Sequence, residues 1–426
     1  MIFSSPHRKS GVTDALRHVV LVACLGLTSM GTVAQENPAS AVSLTPLTLD
    51  MAIARAIEQH PRLRSAQRGL EAEDGAVLQS RARPNPELSY SQEDTKKAAR
   101  TTTVQWSQKL EIGGKREARM RAAERGRDLA QAELEAAKAN LVADVRLAFF
   151  DLLAGQQRSV LAAQTLEIAR SAREAASKRV AAGKAAPLEE NRARVAEAGA
   201  QLEKAQAQAT QRVARQKLHT FMGEAASAFG DAQGALDALP VVPEATVLQQ
   251  RLEQTPAIQQ ARFTLEQARA TADLERAKRL PDPTVSLGMK RAQETGNQIV
   301  FGVSIPLPLL DSNRGNQLQT LRLADQAEEK LFATRLELQS QLYAAREVLA
   351  ASRKQATQLS EQVLPTAQVA YEAASKGFAL GKFGYLDVLD AQRSWFELRS
   401  QYLDQLISTH RAAADIDRLL GLTAGQ

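Results

Sequence analysis

Small or apolar residues recur at alternating steps of four and three at Leu338, Leu342, Ala345, Leu349, Ser352, Ala356, Leu359 and Val363. This is a heptad seam, the pattern of a helix packed lengthwise on another helix. Subtracting 197 from each position gives Leu141, Val145, Ala148, Leu152, Gly155, Ser159, Ala162 and Leu166, a second seam of the same kind. The chain therefore reads as two copies of one unit.

The periodicity around the seams predicts the same order of elements twice. A helix over Leu47–Gln59 is interrupted at His60-Pro61, because proline cannot donate the backbone bond a helix needs. A second helix runs from Arg62 to Arg83 and stops before Pro84-Asn85-Pro86. In the second copy, Glu244–Gln254 breaks at Thr255-Pro256, and Ala257–Leu280 stops before Pro281-Asp282-Pro283. A very long helix follows in each copy, from Gly114 to Ala182 and from Asn313 to Leu380, each on the order of 100 Å at ~1.5 Å per residue. Both end at Gly-Lys, Gly183-Lys184 and Gly381-Lys382, now 198 positions apart. Return helices over Leu188–Phe221 and Leu386–Leu420 close at Gly223 and Gly421.

After each Pro-x-Pro the period changes to two. Leu88 and Tyr90 alternate with Ser89 and Ser91, and Val104 and Trp106 with Thr103, Gln105 and Ser107. Val285, Leu287 and Met289 alternate with Ser286 and Gly288, and Ile299, Phe301 and Val303 with Gln298, Gly302 and Ser304. Four strands are expected, over 87–94, 101–110, 284–291 and 298–307, each with one apolar and one polar face. Two environments suit them: a hairpin on a helical core, or a sheet between lipid and water. Four strands cannot close a barrel, for which about eight is the practical minimum, so in a membrane several chains must share one.

The start of the chain favours export. His7, Arg8, Lys9 and Arg17 precede an apolar run, Val19–Gly31, that is too short to span a bilayer comfortably, and Thr32-Val33-Ala34 suits cleavage before Gln35. The alternative is a lipobox, Leu21-Val22-Ala23-Cys24, which makes Cys24 a lipidated N-terminus. The expected division is a signal over 1–34, an extended segment over 35–46, a first repeat over 47–223, a linker over 224–243, a second repeat over 244–421 and a tail over 422–426.

Composition narrows the classes. Aromatics are only 4% of 426 residues, and the middle of each half is rich in Ala, Leu, Gln, Glu and Arg, as closely approaching long helices require. A net charge of +6 without a free Lys/Arg block gives nucleic acid no footprint. Enzyme chemistry has no constellation: His60, His219 and His410 are far apart, and Cys24 is the one cysteine. Gly113-Gly114-Lys115-Arg116 lacks the spacing of a phosphate loop and carries Arg where Ser or Thr is needed. No cofactor and no tight metal site are expected.

Three segments, in order within the duplicated frame, carry a family resemblance. They are Ser107-Gln-Lys-Leu-Glu-Ile-Gly-Gly-Lys-Arg116, Val303-Ser-Ile-Pro-Leu-Pro-Leu-Leu-Asp-Ser-Asn-Arg-Gly315 and Gly384-Tyr-Leu-Asp-Val-Leu-Asp-Ala-Gln392. From Leu47 to Gly421 the chain resembles the TolC-type outer-membrane efflux channels, and the first two segments look most like the CzcC/CusC-like, heavy-metal branch. The resemblance implies a mainly α fold with a small β part. Duplicated helical hairpins would form an α-barrel, and four strands per chain would contribute to a twelve-stranded outer-membrane β-barrel shared by a homotrimer. It also implies a periplasmic membrane-fusion adaptor and an inner-membrane resistance-nodulation-division transporter as partners, with outer-membrane lipid around the barrel. The cargo would be heavy-metal cations. Drug efflux and type I protein secretion are the alternatives within the class, and a periplasmic coiled-coil scaffold the alternative outside it.

Asp387 and Asp390, three apart on one helix face, match the segment whose acidic residues line the periplasmic constriction in the family. A carboxylate ring there would favour cations. The bland alternative is a helix start stabilised by acids. Gly183, Lys184, Gly381 and Lys382 mark the turns expected to meet the adaptor, and Tyr90 and Trp106 are candidates for the membrane interface.

Overall fold

The computed structural model describes residues 46–94, 100–223 and 229–422. The segment expected to be a signal peptide, with its expected cleavage point and Cys24, and the 423–426 part of the tail lie outside the described residues. The described residues belong to one compact unit, Leu44–Gln426.

The chain is mainly helical with one antiparallel sheet. In each half two short helices lead to two strands, a very long helix and a return helix. The first half contains α1 (Leu49–Gln59), α2 (Pro61–Ser80), β1 (Glu87–Glu93), β2 (Thr101–Lys109), α3 (Lys115–Ala181) and α4 (Pro187–Met222). The second contains α5 (Ala245–Leu252), α6 (Pro256–Ala277), β3 (Thr284–Ala292), β4 (Gly296–Ser304), α7 (Arg314–Gln358), a π-helical turn (Leu359–Val363), α8 (Leu364–Ala379) and α9 (Tyr385–Leu420).

Local chemistry sets the boundaries. Thr48 Oγ1 accepts the Met51 N–H at 3.4 Å and starts α1. His60 Nδ1 accepts the Arg62 N–H at 3.1 Å and caps α2, with Pro61 at its first position, where a missing N–H is harmless. Burial and the neighbouring Arg62 lower the His60 pKa, which suits an imidazole that must accept. Strand β1 ends at Glu93, since Asp94 has a φ of 64°. Strand β4 runs over Gly296–Ser304 rather than 298–307, because its pairing with β3 begins at the hairpin turn and Pro306 has no N–H to extend it.

Each seam contributes most of its residues to a core, with Ser159, Ala345, Leu359 and Val363 half-buried. Leu141, Val145, Ala148 and Leu152 of α3 share a core with α1, α4 and Phe229, and Leu338, Leu342 and Leu349 of α7 form the corresponding core with α5, α6 and α9. The connection expected as a linker is part of this packing. Its Phe229, Ala232 and Leu236 are buried, and Leu47 bridges it through Leu47 N–H to Asp231 O (3.2 Å) and Gln233 N–H to Leu47 O (2.9 Å).

Helices α3 and α9 join the two halves through polar rungs. Arg146 pairs with Asp417, Arg411 with Asp151 at 3.2 Å, Arg158 with Asp404, and Arg399 with Gln164 at 3.2 Å. The partners climb α3 as they descend α9, so the helices are antiparallel.

The second long helix is not one α-helix, as the seam alone suggested. Its π turn contains a Leu364 N–H to Leu359 O bond, one residue longer than the α pattern, just before Pro365. The offset between the copies changes just beyond it: Val363 and Leu166 are 197 apart, whereas Gly381 and Gly183 are 198 apart, so the second half has one extra residue between Val363, the last residue of the π turn, and Gly381.

Candidate functional site

Two regions carry the functional geometry: the sheet and the helical turns. The sheet order is β1-β2-β3-β4, so β2 and β3 join the copies and β1 and β4 are the two edges. Its register lines up Leu88, Trp106, Leu287 and Phe301 in one row and Tyr90, Val104, Met289 and Ile299 in the next, all on one face and all exposed. The opposite face carries Ser91, Thr103, Lys290 and Gln298 in one row and Glu87, Ser107, Ser286 and Gly302 in another. Tyr90 and Trp106 lie in adjacent rows of the apolar face, 66% and 45% exposed. A fully exposed apolar face is costly in water and favourable in hydrocarbon. Among the described residues no helix is long and apolar enough to cross a membrane.

A buried ion pair fixes the sheet to the helices. Lys115 Nζ, at the start of α3, is 2.5 Å from Asp282 Oδ1, which also accepts the Ile112 N–H at 3.2 Å; Lys109 is 3.6 Å from its other oxygen. Burial opposes ionisation of Asp282, but the Lys115 and Ile112 bonds outweigh it and hold the pKa below the ordinary carboxylate value. Nearby, Arg119 pairs with Glu111 and donates to the carbonyls of Ser80 (3.0 Å) and Ala82 (2.9 Å), closing the end of α2. The Gly-Gly-Lys-Arg segment thus serves a structural junction.

At the other end of the long helices the two turns are alike. Gly183 (φ 67°) and Gly381 (φ 74°) take the left-handed conformation. Lys184 N–H reaches Arg179 O at 2.9 Å and Lys382 N–H reaches Gly377 O at 2.8 Å, the bonds of a Schellman end in both copies. All four Gly and Lys residues are exposed. The copies meet beside these turns. Tyr385 is buried with Ala176 and Ala193; Phe378 lies 6.0 Å from its ring centroid, with the Arg179 guanidinium 4.5 Å over the Phe378 ring. Burial raises the Tyr385 pKa, with Arg393 opposing and Glu189 adding to the shift.

Asp387 and Asp390 are exposed at the start of α9. Asp387 Oδ2 accepts the Gly384 N–H at 2.8 Å, so it closes the helix start, while Asp390 follows three residues on. Sequence reasoning overlooked Phe378 and Tyr385. A comparison of the copies would have found them: the equivalent positions, 198 residues earlier, are Val180 and Pro187. Among the described residues no cluster of three or more His, Cys, Asp or Glu side chains could hold a metal ion.

Comparison with known proteins matches both halves. The profile of the family described as "Outer membrane efflux protein" covers residues 52–224 and 247–422. The cobalt-zinc-cadmium resistance protein CzcC of Cupriavidus metallidurans is 45% identical over 88% of this chain and 90% of its own. The nickel-cobalt-cadmium resistance protein NccC of Alcaligenes xylosoxydans xylosoxydans is 27% identical over 60% of this chain and 58% of its own. The fold is similar to that of CusC (TM-score 0.74, 20% identity, 88% of this chain and 92% of that one). It is also similar to the open-state MtrE outer membrane channel of Neisseria gonorrhoeae (TM-score 0.74, 21% identity, 88% of each chain).

Proposed function

Because this chain belongs to the outer membrane efflux protein family, we propose that it is the outer-membrane channel of a tripartite heavy-metal efflux system, passing cations from the periplasm to the exterior of a Gram-negative cell. The observation that carries the proposal is the sheet: one face with two adjacent apolar, exposed rows bounded by the polar row Gln92, Thr102, Arg291 and Asn297, one polar face and two open edges. Three copies supply twelve strands, enough to close a barrel around a polar lumen. The long helices then extend the conduit into the periplasm. The family's role is transport, and the energy comes from an inner-membrane resistance-nodulation-division pump reached through a periplasmic adaptor.

The cargo follows from the 45% identity to a cobalt-zinc-cadmium resistance protein. A passive conduit needs weak passage sites rather than a tight metal cage. Asp390, with Asp387 beside it, is the proposed source of a negative ring at the periplasmic constriction; exposed carboxylates on one helix face support it. The turns at Gly183-Lys184 and Gly381-Lys382 are the proposed adaptor contacts, supported by their exposure and their matching geometry. Tyr90 and Trp106 are proposed as interface anchors.

The test is the tolerance of a deletion strain to cobalt, zinc, cadmium, nickel, copper and silver, beside a panel of organic drugs, with complementation by the intact gene. Loss of tolerance to one or two divalent metals, restored by the gene, is the expected result. Loss confined to dyes, detergents or antibiotics would overturn the metal cargo while leaving the channel.

A further inference from the structure

In each half the return helix lies against its own long helix, α4 on α3 and α9 on α7. Helix α9 has a second long neighbour, α3 of the other half. Among the described residues α4 has no such second neighbour, and its outer face is open. The duplication says what belongs there. As α9 sits between α7 and α3, so α4 should sit between α3 and the α7 of a second chain.

The numbering turns this into residues. Positions on α3 move to α7 by adding 197, and positions on α9 move to α4 by subtracting 198. The rung Arg146–Asp417 becomes Tyr343 and His219, and Asp151–Arg411 becomes Val348 and Val213. The rung Arg158–Asp404 becomes Gln355 and Gln206. Tyr343, Val348 and Val213 are 68%, 50% and 69% exposed, and both glutamines are exposed. Leu202 extends the stripe of α4 one turn before Gln206 and is exposed as well. On α7, Leu336 is exposed, whereas its counterpart on α3, Ala139, is buried. A cavity of about 340 Å³ between α5 and α7, lined among others by Leu248, Leu336 and Tyr343, opens at the same face. Large apolar side chains exposed together on a helix face mark a protein contact.

The chemistry of the rungs changes on transfer. All three inside the chain are ion pairs, and none of the three transferred ones is. The buried Lys115–Asp282 pair follows suit. Aligned on the left-handed residues before the long helices, Gly114 and Asn313, its counterparts are Arg314 and Asn85.

We infer that α4 of each chain seats α7 of a second chain, with Val213 against Val348 and Gln206 against Gln355, in a seam that repeats the α3–α9 packing without its ion pairs. The two faces differ, so the contact is head-to-tail and closes as a ring. That chains come together rests on the shared barrel proposed above; the choice of faces rests on the duplication. A seam without ion pairs is one that salt does not weaken by screening.

Cross-linking of the full chain in outer membranes tests the pairing. Val213→Cys combined with Val348→Cys, treated with a short bismaleimide, should give covalent dimers and larger species on a denaturing gel. Either variant alone should stay monomeric, which also controls for Cys24. Asp151→Cys with Arg411→Cys should react inside the chain and run as a monomer. A second pair of variants writes the internal rung into the subunit seam. Val213→Arg alone should lower the assembled fraction in mild detergent several-fold, and adding Val348→Asp should restore most of it. Wild-type assembly should be the same at low and high salt. Monomer only from the double Cys variant, in a preparation that still runs as an oligomer, would overturn the pairing and leave the channel standing. Equal assembly defects with and without Val348→Asp would also overturn it. Assembly that weakens as salt rises would overturn the uncharged seam. A chain that runs as a monomer throughout would overturn the shared barrel itself.

Discussion

Lys115 and Asp282 are 167 positions apart in sequence and 2.5 Å apart in space, and both side chains are nearly closed off from solvent. Their pairing ties the first long helix to the strand entrance of the second copy. Asp282→Asn leaves the Lys115 ammonium buried without its counter-charge, a loss on the order of 3–5 kcal/mol for a fully buried pair. A clear fall in the thermal midpoint of the purified protein is expected, with a smaller one for Lys115→Met combined with Asp282→Leu. Because the Asp282 pKa is lowered in the fold, its contribution is complete above the unfolded carboxylate value and is lost as pH falls through the folded one.

His410 predicts a second pH dependence in a milder range. Its Nε2 lies 2.8 Å from Leu236 O and its ring stacks on Phe150 at 3.8 Å. Burial lowers the pKa below 6.5, only partly offset by the Leu236 carbonyl. The unfolded chain therefore takes up a proton before the folded one does, and the stabilisation present above pH 6.5 declines on acidification. Melting curves between pH 7.5 and pH 5 should show a smaller decline for His410→Gln than for the wild type.

Gly377 leaves room for one ring. A Cβ there would stand 2.1 Å from Cδ2 of Phe383, so Gly377→Ala must displace the ring from the turn. Overpacking of this kind costs roughly 1–3 kcal/mol. Gly377→Ala should lower the melting temperature, and adding Phe383→Ala should recover part of the loss. Additive losses would show that the two positions are not in contact.

Opposite faces of the sheet should respond differently to the same charge. Leu287→Arg places a guanidinium on the apolar face, at roughly 2–4 kcal/mol if that face meets the bilayer midplane. Gln298→Arg adds the same group to the polar face. Outer-membrane fractionation should show loss of the assembled oligomer for the first and normal assembly for the second. Equal assembly would argue against lipid on that face.

Asp387 and Asp390 separate stability from selectivity. Asp387→Asn weakens the bond to Gly384 N–H, worth about 1 kcal/mol for a helix cap, and removes a charge. Asp390→Asn removes only the charge. Reversal potentials in a salt gradient should show reduced cation preference for both, whereas the melting temperature should fall only for Asp387→Asn. Unchanged reversal potentials would remove these carboxylates from the constriction.

The two seams, the strand alternation and the breaks at Pro61, Pro84, Pro256 and Pro281 were legible in the sequence, because each depends on a local period or on a backbone donor that proline lacks. The apolar sheet face was legible for the same reason: period-two alternation names its residues before the strands are paired. The change of offset from 197 to 198 was legible too, but not where the extra residue went. A turn, a loop or a helix defect could absorb it equally well in one dimension. Only the structure shows that this helix carries a π turn, at Leu359–Val363, directly before the stretch that holds the extra residue. The pairings of Lys115 with Asp282, of Arg146 with Asp417 and of Arg179 with Phe378 were likewise decided by the tertiary structure. Each joins residues from different copies, and the choice among many Arg, Lys and Asp side chains depends on how two long helices are set side by side, which no local pattern encodes.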